Sequence, residues 1–333
     1  MHRWNDVSDV PEGFGPSVVT IGNFDGVHLG HRSVLSHLVA TAHARDAAAV
    51  AITFEPHPLQ VLYPDKAPES ITGLDHRLEL MASCGLDAVL VMEFTRDLAT
   101  WSPERFVEDV LVDLLNTSAV VVGRDIRFGH RNSGDLQTMR VLAEKHGFDV
   151  ELLDDLTGPA GESDAPQRRW SSSWARELLA AGEVGHAADV LGRPHRVVGE
   201  VVHGDHRGRG LGFPTANLGP DSVGLVPADG VYAGWMLRFE IPDEPEHPQS
   251  NERMLPAAIS IGTNPTFDGT VRRVEAYVLD RTDLDLYGER VALEFVVRLR
   301  PTLKFDGIDP LVEQMTRDVE QCRGVLEVAA PDS

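Results

Sequence analysis

The chain has 333 residues, 42% of them hydrophobic, with a formal net charge of −22 and two cysteines. That length makes two domains the leading expectation, and so large a negative excess repels phosphate backbones and argues against nonspecific nucleic-acid binding. No window approaches the roughly 18 uncharged apolar residues of a membrane span, and "MHRWNDVSDVPEGFG" at residues 1–15 lacks the apolar core of a signal peptide, so the expected setting is cytoplasmic, with no membrane or nucleic-acid partner.

Residues 16–155 alternate short β-branched runs with longer stretches of helical spacing. "SVVTIGNF" (17–24), "AAAVAITF" (47–54), "DAVLVMEF" (87–94), "SAVVVG" (118–123) and "FDVELLD" (148–154) predict strands. Between them "HRSVLSHLVATAHARD" (31–46), "LDHRLELMASCG" (74–85), "SPERFVEDVLVDLLN" (102–116) and "DLQTMRVLAEKHG" (135–147) predict helices, the third opening on a Ser102 cap and Pro103. Such alternation implies a parallel sheet covered on both faces, with ligands at the carboxyl ends of the strands. After "TGPAGESDAPQRRW" (157–170) comes a helical pair, "SSWARELLAAGEV" and "HAADVLG". From about residue 196 five β-rich runs follow one another without helices, which predicts an antiparallel barrel or sandwich. "DPLVEQMTRDVEQCRGVLEVA" closes the chain as a helix, and the domain boundary falls near Leu191. Cys84 and Cys322 belong to no CxxC or Cys/His cluster, so neither a disulfide framework nor a zinc site is encoded.

The turn "GNFDGVHLGH" (22–31) lies between the first strand and a helix N-terminus, where free N–H groups and the helix dipole make an anion site. Gly22, Gly26 and Gly30 permit close backbone approach, and His28 and His31, three apart, share one face of the first helical turn. Asp25 is placed to orient a ring or meet a metal shell. In "RRWSSSWAR", the hydroxyls of Ser172 and Ser173 with Arg169 and Arg176 form a candidate phosphate clamp. In "HGDHRGRGLGFPTANL" (203–218), Arg207 and Arg209 with Gly204, Gly208, Gly210 and Gly212 suit ATP phosphates. Thr215 and Asn217, two apart on an extended segment, point the same way as oxygen ligands for a magnesium ion. Period-two alternation in "RRVEAYVLD" puts Glu275 on a face with Arg273 and Tyr277, opposite Val274 and Ala276. Standing alone, each stretch has a plainer explanation. The first is then a capped glycine-rich turn, the serines an N-cap, "PTAN" a tight turn and Glu275 a solvent-facing side chain.

Taken together and in order, the motifs carry a resemblance. "GNFDGVHLGH" resembles the GxFDGxHxGH signature of the nucleotidyltransferase superfamily. With "ITFEPHP" (52–58), "VVGRDIRFGHRNSGD" (121–135), "SSSWARELLAAGEV" (171–184), "HGDHRGRGLGFPTANL", "PADGVYAG" (227–234), "IGTNPTF" (261–267), "VEAYVLD" (274–280) and "DLYGERVALEFVVRLRP" (285–301), the chain is similar to the bifunctional bacterial riboflavin kinase/FAD synthetase family. The resemblance implies an α/β fold: a Rossmann-like nucleotidyltransferase domain at 1–190, then an antiparallel β-barrel riboflavin kinase domain with a C-terminal helix at 191–333. It implies ATP-dependent phosphorylation of riboflavin to FMN and adenylylation of FMN to FAD with release of pyrophosphate, with ATP and Mg2+ required, by a monomer or weak homo-oligomer.

By the same resemblance His28 and His31, with Gly22, Asp25 and Gly26, hold the triphosphate and stabilise charge at the α-phosphate. Pro56, His57 and Pro58 line the flavin side together with Asp125 and Phe128, and the serine–arginine clamp takes the pyrophosphate. Glu275 becomes the base that accepts the riboflavin 5′-hydroxyl proton. The chain departs from the family pattern at Ser173, where threonine is usual, at Trp174 and Ala175 after it, and at Ile126, where phenylalanine is commoner. A different adenylyltransferase would explain the first motif but not the "GFPTAN" half. A binding-only flavin regulator would have no use for Glu275 and the metal ligands.

Overall fold

The computed structural model describes residues 1–153, 168–204, 212–239, 253–266, 269–281 and 283–328. Contacts divide the chain into two units, residues 1–69 with 74–171 and residues 70–73 with 172–333.

In the first unit six strands, β1 (His2–Trp4), β2 (Ser17–Ile21), β3 (Ala48–Glu55), β4 (Ala88–Glu93), β5 (Thr117–Gly123) and β6 (Asp149–Leu153), make one parallel sheet in the order β1-β4-β3-β2-β5-β6. Successive residues of a strand face opposite ways, and both faces are buried, as expected of a parallel sheet. Val19, Ile52, Leu90 and Val120 pack with Phe106, Leu111 and Met139. Val18, Ala51, Val89 and Val121 pack on the other side with Leu35, Leu38, Leu78 and Met81. Those partners come from α1 (Leu29–Ala44), α3 (Leu74–Ala82), α4 (Pro103–Phe106) with its continuation over Val107–Leu114, and α5 (Leu136–His146), while α2 (Pro58–Leu62) is a short helix after β3.

The helix expected over 102–116 begins as α4 with the Ser102 cap in place, then widens over Val107–Leu114, where Leu115 N–H reaches Val110 O, five residues back. Its apolar pairs 106/107, 110/111 and 114/115 recur every four residues, longer than the 3.6 of a regular turn, so a wider winding keeps them on the core side. β2 has β3 on one side and β5 on the other, so the chain's progress across the sheet reverses there. Loops leaving the carboxyl ends of β2 and β5 diverge at that point, which is where ligands enter such sheets.

The second unit opens with α6 (Ser172–Ala181) and α7 (Val184–Leu191). Its strands β7 (His195–Val202), β8 (Ala216–Leu218), β9 (Gly230–Arg238), β10 (Met254–Thr266), β11 (Gly269–Val278) and β12 (Arg290–Arg300) close into a barrel, β10-β11-β8-β7-β12-β9, with antiparallel pairing throughout. Along β11 Val274, Ala276 and Val278 are buried, whereas Arg273, Glu275 and Tyr277 are partly exposed, the alternation expected from sequence. α8 (Ile308–Val328) packs Cys322 and Leu326 against Ala233 and Leu279, with Tyr277 at the edge of the same cluster. Arg300 ties α8 down through a 2.6 Å ion pair with the buried Asp318. No helix among the described residues is long and apolar enough to cross a membrane.

Candidate active sites

The turn after β2 is compact and strained. Phe24 and Val27 are both buried and hold positive φ values of 48° and 38°, Gly26 holds 80°, and Asp25 and His28 are buried beside them. A β-branched residue at positive φ costs free energy that only a well-determined site retains. His28 caps α1: its Nδ1 accepts the His31 N–H at 3.3 Å, which leaves the ring proton of the neutral form on Nε2. The His28 and His31 rings stack at 3.7 Å, and a Cβ on Gly30 would lie 3.0 Å from the His28 ring, so glycine is what lets that ring fold back over the helix end.

Burial, then the neighbouring His28 and Arg169, holds the His31 pKa well below its usual value. His31 is therefore neutral at pH 7, and its buried Nδ1 makes no hydrogen bond within the described protein. A neutral ring with an unused nitrogen at a helix N-terminus can hydrogen-bond a phosphate without adding charge.

Two further loops converge on this turn. His57, between Pro56 and Pro58, caps α2 through Nδ1 and the Leu59 N–H at 3.2 Å, and its Nε2 lies 3.2 Å from the Asn23 side-chain amide. The second motif is thus a Pro-bounded capped turn that also touches the first motif. After β5, Asp125 pairs with Arg169 at 3.0 Å, and Arg169 is close enough to His31 to depress its pKa. Phe128 is buried against Phe106 and bridges to Gly134, fixing the base of the Asp125 loop in the core. The first unit thus brings His28, His31, Asp125 and Arg169 together, with His57 linked through Asn23. Ser172, Ser173 and Arg176 lie on α6, in the second unit.

Sequence reasoning passed over Asn23 and Arg77. The Arg77 guanidinium, 2% exposed, donates to Asn23 O (3.2 Å), Phe54 O (3.3 Å) and Glu55 Oε2 (2.6 Å). The signal for it was present: Leu74, Arg77, Leu78 and Met81 follow the apolar spacing of a helix, and a charged residue in that stripe calls for buried partners.

In the second unit Asn217 and Glu275 are cross-strand partners on β8 and β11, so their side chains leave the same face of the barrel. Thr215 lies just before β8, two residues from Asn217, whose Nδ2 is 3.4 Å from Thr215 O. Gly204 is packed so closely on Asn217 that an added Cβ would sit 2.5 Å from Nδ2. Near them the His203 and Tyr287 rings lie 3.9 Å apart and Phe213 meets Tyr277 edge-on at 5.3 Å. Arg207 and Arg209, with Gly208 and Gly210, fall outside the described residues. No group of three His, Cys, Asp or Glu side chains among the described residues could hold a metal ion. A cation at Thr215 and Asn217 would therefore depend on a few neutral oxygens plus those of a ligand, a donor set that suits Mg2+ rather than a soft metal.

Family models agree with both halves: one described as FAD synthetase matches residues 11–162 and one described as riboflavin kinase matches residues 191–326. The bifunctional riboflavin kinase/FMN adenylyltransferase of Escherichia coli (strain K12) is 35% identical over 314 residues, 94% of each chain. The proteins of that name from Listeria monocytogenes and Bacillus subtilis are 34% and 32% identical, covering 96% and 92% of this chain and 93% and 91% of theirs. A crystal structure from Streptococcus pneumoniae, described as a macrolide-efflux protein, aligns with a TM-score of 0.81 at 28% identity over 96% of this chain and 98% of that one. With both domain models matched in order and identity above 30% along nearly its whole length, the chain belongs to the bifunctional riboflavin kinase/FMN adenylyltransferase family.

Proposed function

We propose that the chain makes FAD from riboflavin in two ATP-dependent steps, with phosphoryl transfer on the barrel and adenylyl transfer at the parallel sheet. The functional boundary is placed at residues 190/191, just ahead of the riboflavin kinase match. In the first step the 5′-hydroxyl oxygen of riboflavin bonds to the γ-phosphorus of ATP, the bond to ADP breaks, and Glu275 takes the hydroxyl proton. Thr215 and Asn217 would hold Mg2+, which when bound offsets charge on the ATP phosphates. In the second step a phosphate oxygen of FMN bonds to the α-phosphorus of ATP and pyrophosphate leaves.

No covalent intermediate is needed, so the protein's work is alignment and charge stabilisation. His28 offers Nε2–H and His31 a neutral ring to the phosphate oxygens, and Arg169, steadied by Asp125, supplies the positive charge. The flavin side is given to Pro56, His57, Pro58, Asp125 and Phe128.

The observation that carries this reading is convergence: motif residues far apart in sequence meet in each unit, His31 with Arg169 and its partner Asp125, and Gly204 with Asn217, the cross-strand partner of Glu275. The test is to incubate purified chain with Mg·ATP and either riboflavin or FMN and separate the flavins by chromatography. FMN and FAD from the first mixture and FAD from the second are expected. FMN without FAD would remove the adenylyl assignment, and no product from either would remove both.

A further inference from the structure

We propose that Arg77, on α3, is a positioning residue for adenylyl transfer, clamping the triphosphate turn after β2 to the flavin loop after β3. The proposal rests on the adenylyl reading of the first unit. An arginine 2% exposed is costly to bury unless its donors are used. The donors it uses, on Nη1 and Nη2, go to the turn after β2 and to the last two residues of β3, segments that the helix itself does not belong to. One nitrogen, Nη1, donates to Asn23 O, one residue into the turn that carries His28. The other, Nη2, donates to Phe54 O and to the Glu55 carboxylate, immediately before the Pro56-His57-Pro58 loop.

Asn23 is the shared element. Its carbonyl accepts from Arg77 and from Thr53 Oγ1 at 3.2 Å, and its side-chain amide touches His57 Nε2. One rigid fork therefore sets the distance between the turn proposed to hold ATP and the loop proposed to hold FMN. Two substrates must meet at a phosphorus atom, and small misplacement there costs rate. Lysine cannot reproduce this arrangement, because a single ammonium on a flexible stem lacks the planar fork that reaches three acceptors on the β2 turn and the end of β3.

The test compares Arg77→Lys and Glu55→Ala with the parent chain in three measurements: FMN adenylylation, riboflavin phosphorylation, and FAD bound per chain. The last reports the fraction of first units that are folded. For Arg77→Lys, kcat for adenylylation is expected to fall about tenfold or more, with KM for ATP and FMN, FAD stoichiometry and riboflavin phosphorylation all within about twofold of the parent. Glu55→Ala, which removes a half-exposed partner, is expected to lower the same kcat about threefold or more without loss of FAD stoichiometry. The proposal is overturned if both variants keep the parent kcat. It is equally overturned if the loss of kcat matches a loss of FAD stoichiometry, which would make Arg77 a folding residue only. A parent chain that forms no FAD from FMN would instead defeat the adenylyl reading beneath it.

Discussion

Asn217 and Glu275 stand directly opposite one another on the β8–β11 ladder, and Gly204 presses on the Asn217 amide from the third side. A candidate base and a candidate cation ligand are thus held on one face by backbone register alone. Register in a closed barrel cannot slip without turning every alternate side chain inside out.

Glu275→Gln keeps the size of the side chain and removes its basicity. Riboflavin phosphorylation is expected to fall about 100-fold or more, with FMN adenylylation within about twofold of the parent. Measuring each step from its own flavin, with ATP and Mg2+, checks this, and equal loss of both activities in a folded chain would refute the two-site assignment.

Gly204→Ala separates stability from activity. The atoms in its way, Nδ2, Cγ and Oδ1, are the amide end of the Asn217 side chain, which can swing aside as a group, so unfolding free energy should change by less than about 1 kcal/mol. Kinase activity should fall all the same, because the displaced group is the one proposed to hold the cation. Urea melts beside initial rates decide it.

Substitution of His28 should distinguish its two jobs. His28→Ala loses the helix cap and the phosphate donor together, costing about 1 kcal/mol of stability and most FMN adenylylation. Asparagine, a good cap, should restore the stability and leave the activity low. Recovery of both by His28→Asn would assign His28 to capping alone.

His195 predicts an acid sensitivity of the barrel. It is buried, with Nε2 2.6 Å from Leu225 O, and burial lowers its pKa to about 4. The folded chain keeps the ring neutral while the unfolded chain protonates it below its usual value of 6.5. Its contribution is therefore complete above pH 6.5 and lost as pH falls toward 4, to a limit of roughly 3 kcal/mol. His195→Gln removes the titration, so the stability gap between parent and variant should narrow from pH 7 to pH 4.5. A gap independent of pH would contradict the assignment.

Legibility in the sequence followed periodicity. The five long strands of the parallel sheet, α5 between its Asp135 cap and Gly147, and the alternation around Glu275 were all visible because each spans several periods of its own pattern. β1 and β8, three residues each, contain no full pattern, and only pairing with a strand far along the chain makes them strands. The same limit hid the Asp125–Arg169 pair and the links from Arg77 to Asn23 and Glu55, which join residues from separate loops. Motifs named the residues, and folding supplied their partners.

β1 is slight, yet it lies along the outer side of β4, a strand with five of its six residues buried. Residues 2–4 occupy backbone groups of β4 that would otherwise offer themselves to any passing strand. This three-residue strand is in this sense a guard against self-association, and loss of its pairing with β4 is expected to show itself first as aggregation rather than as lost chemistry.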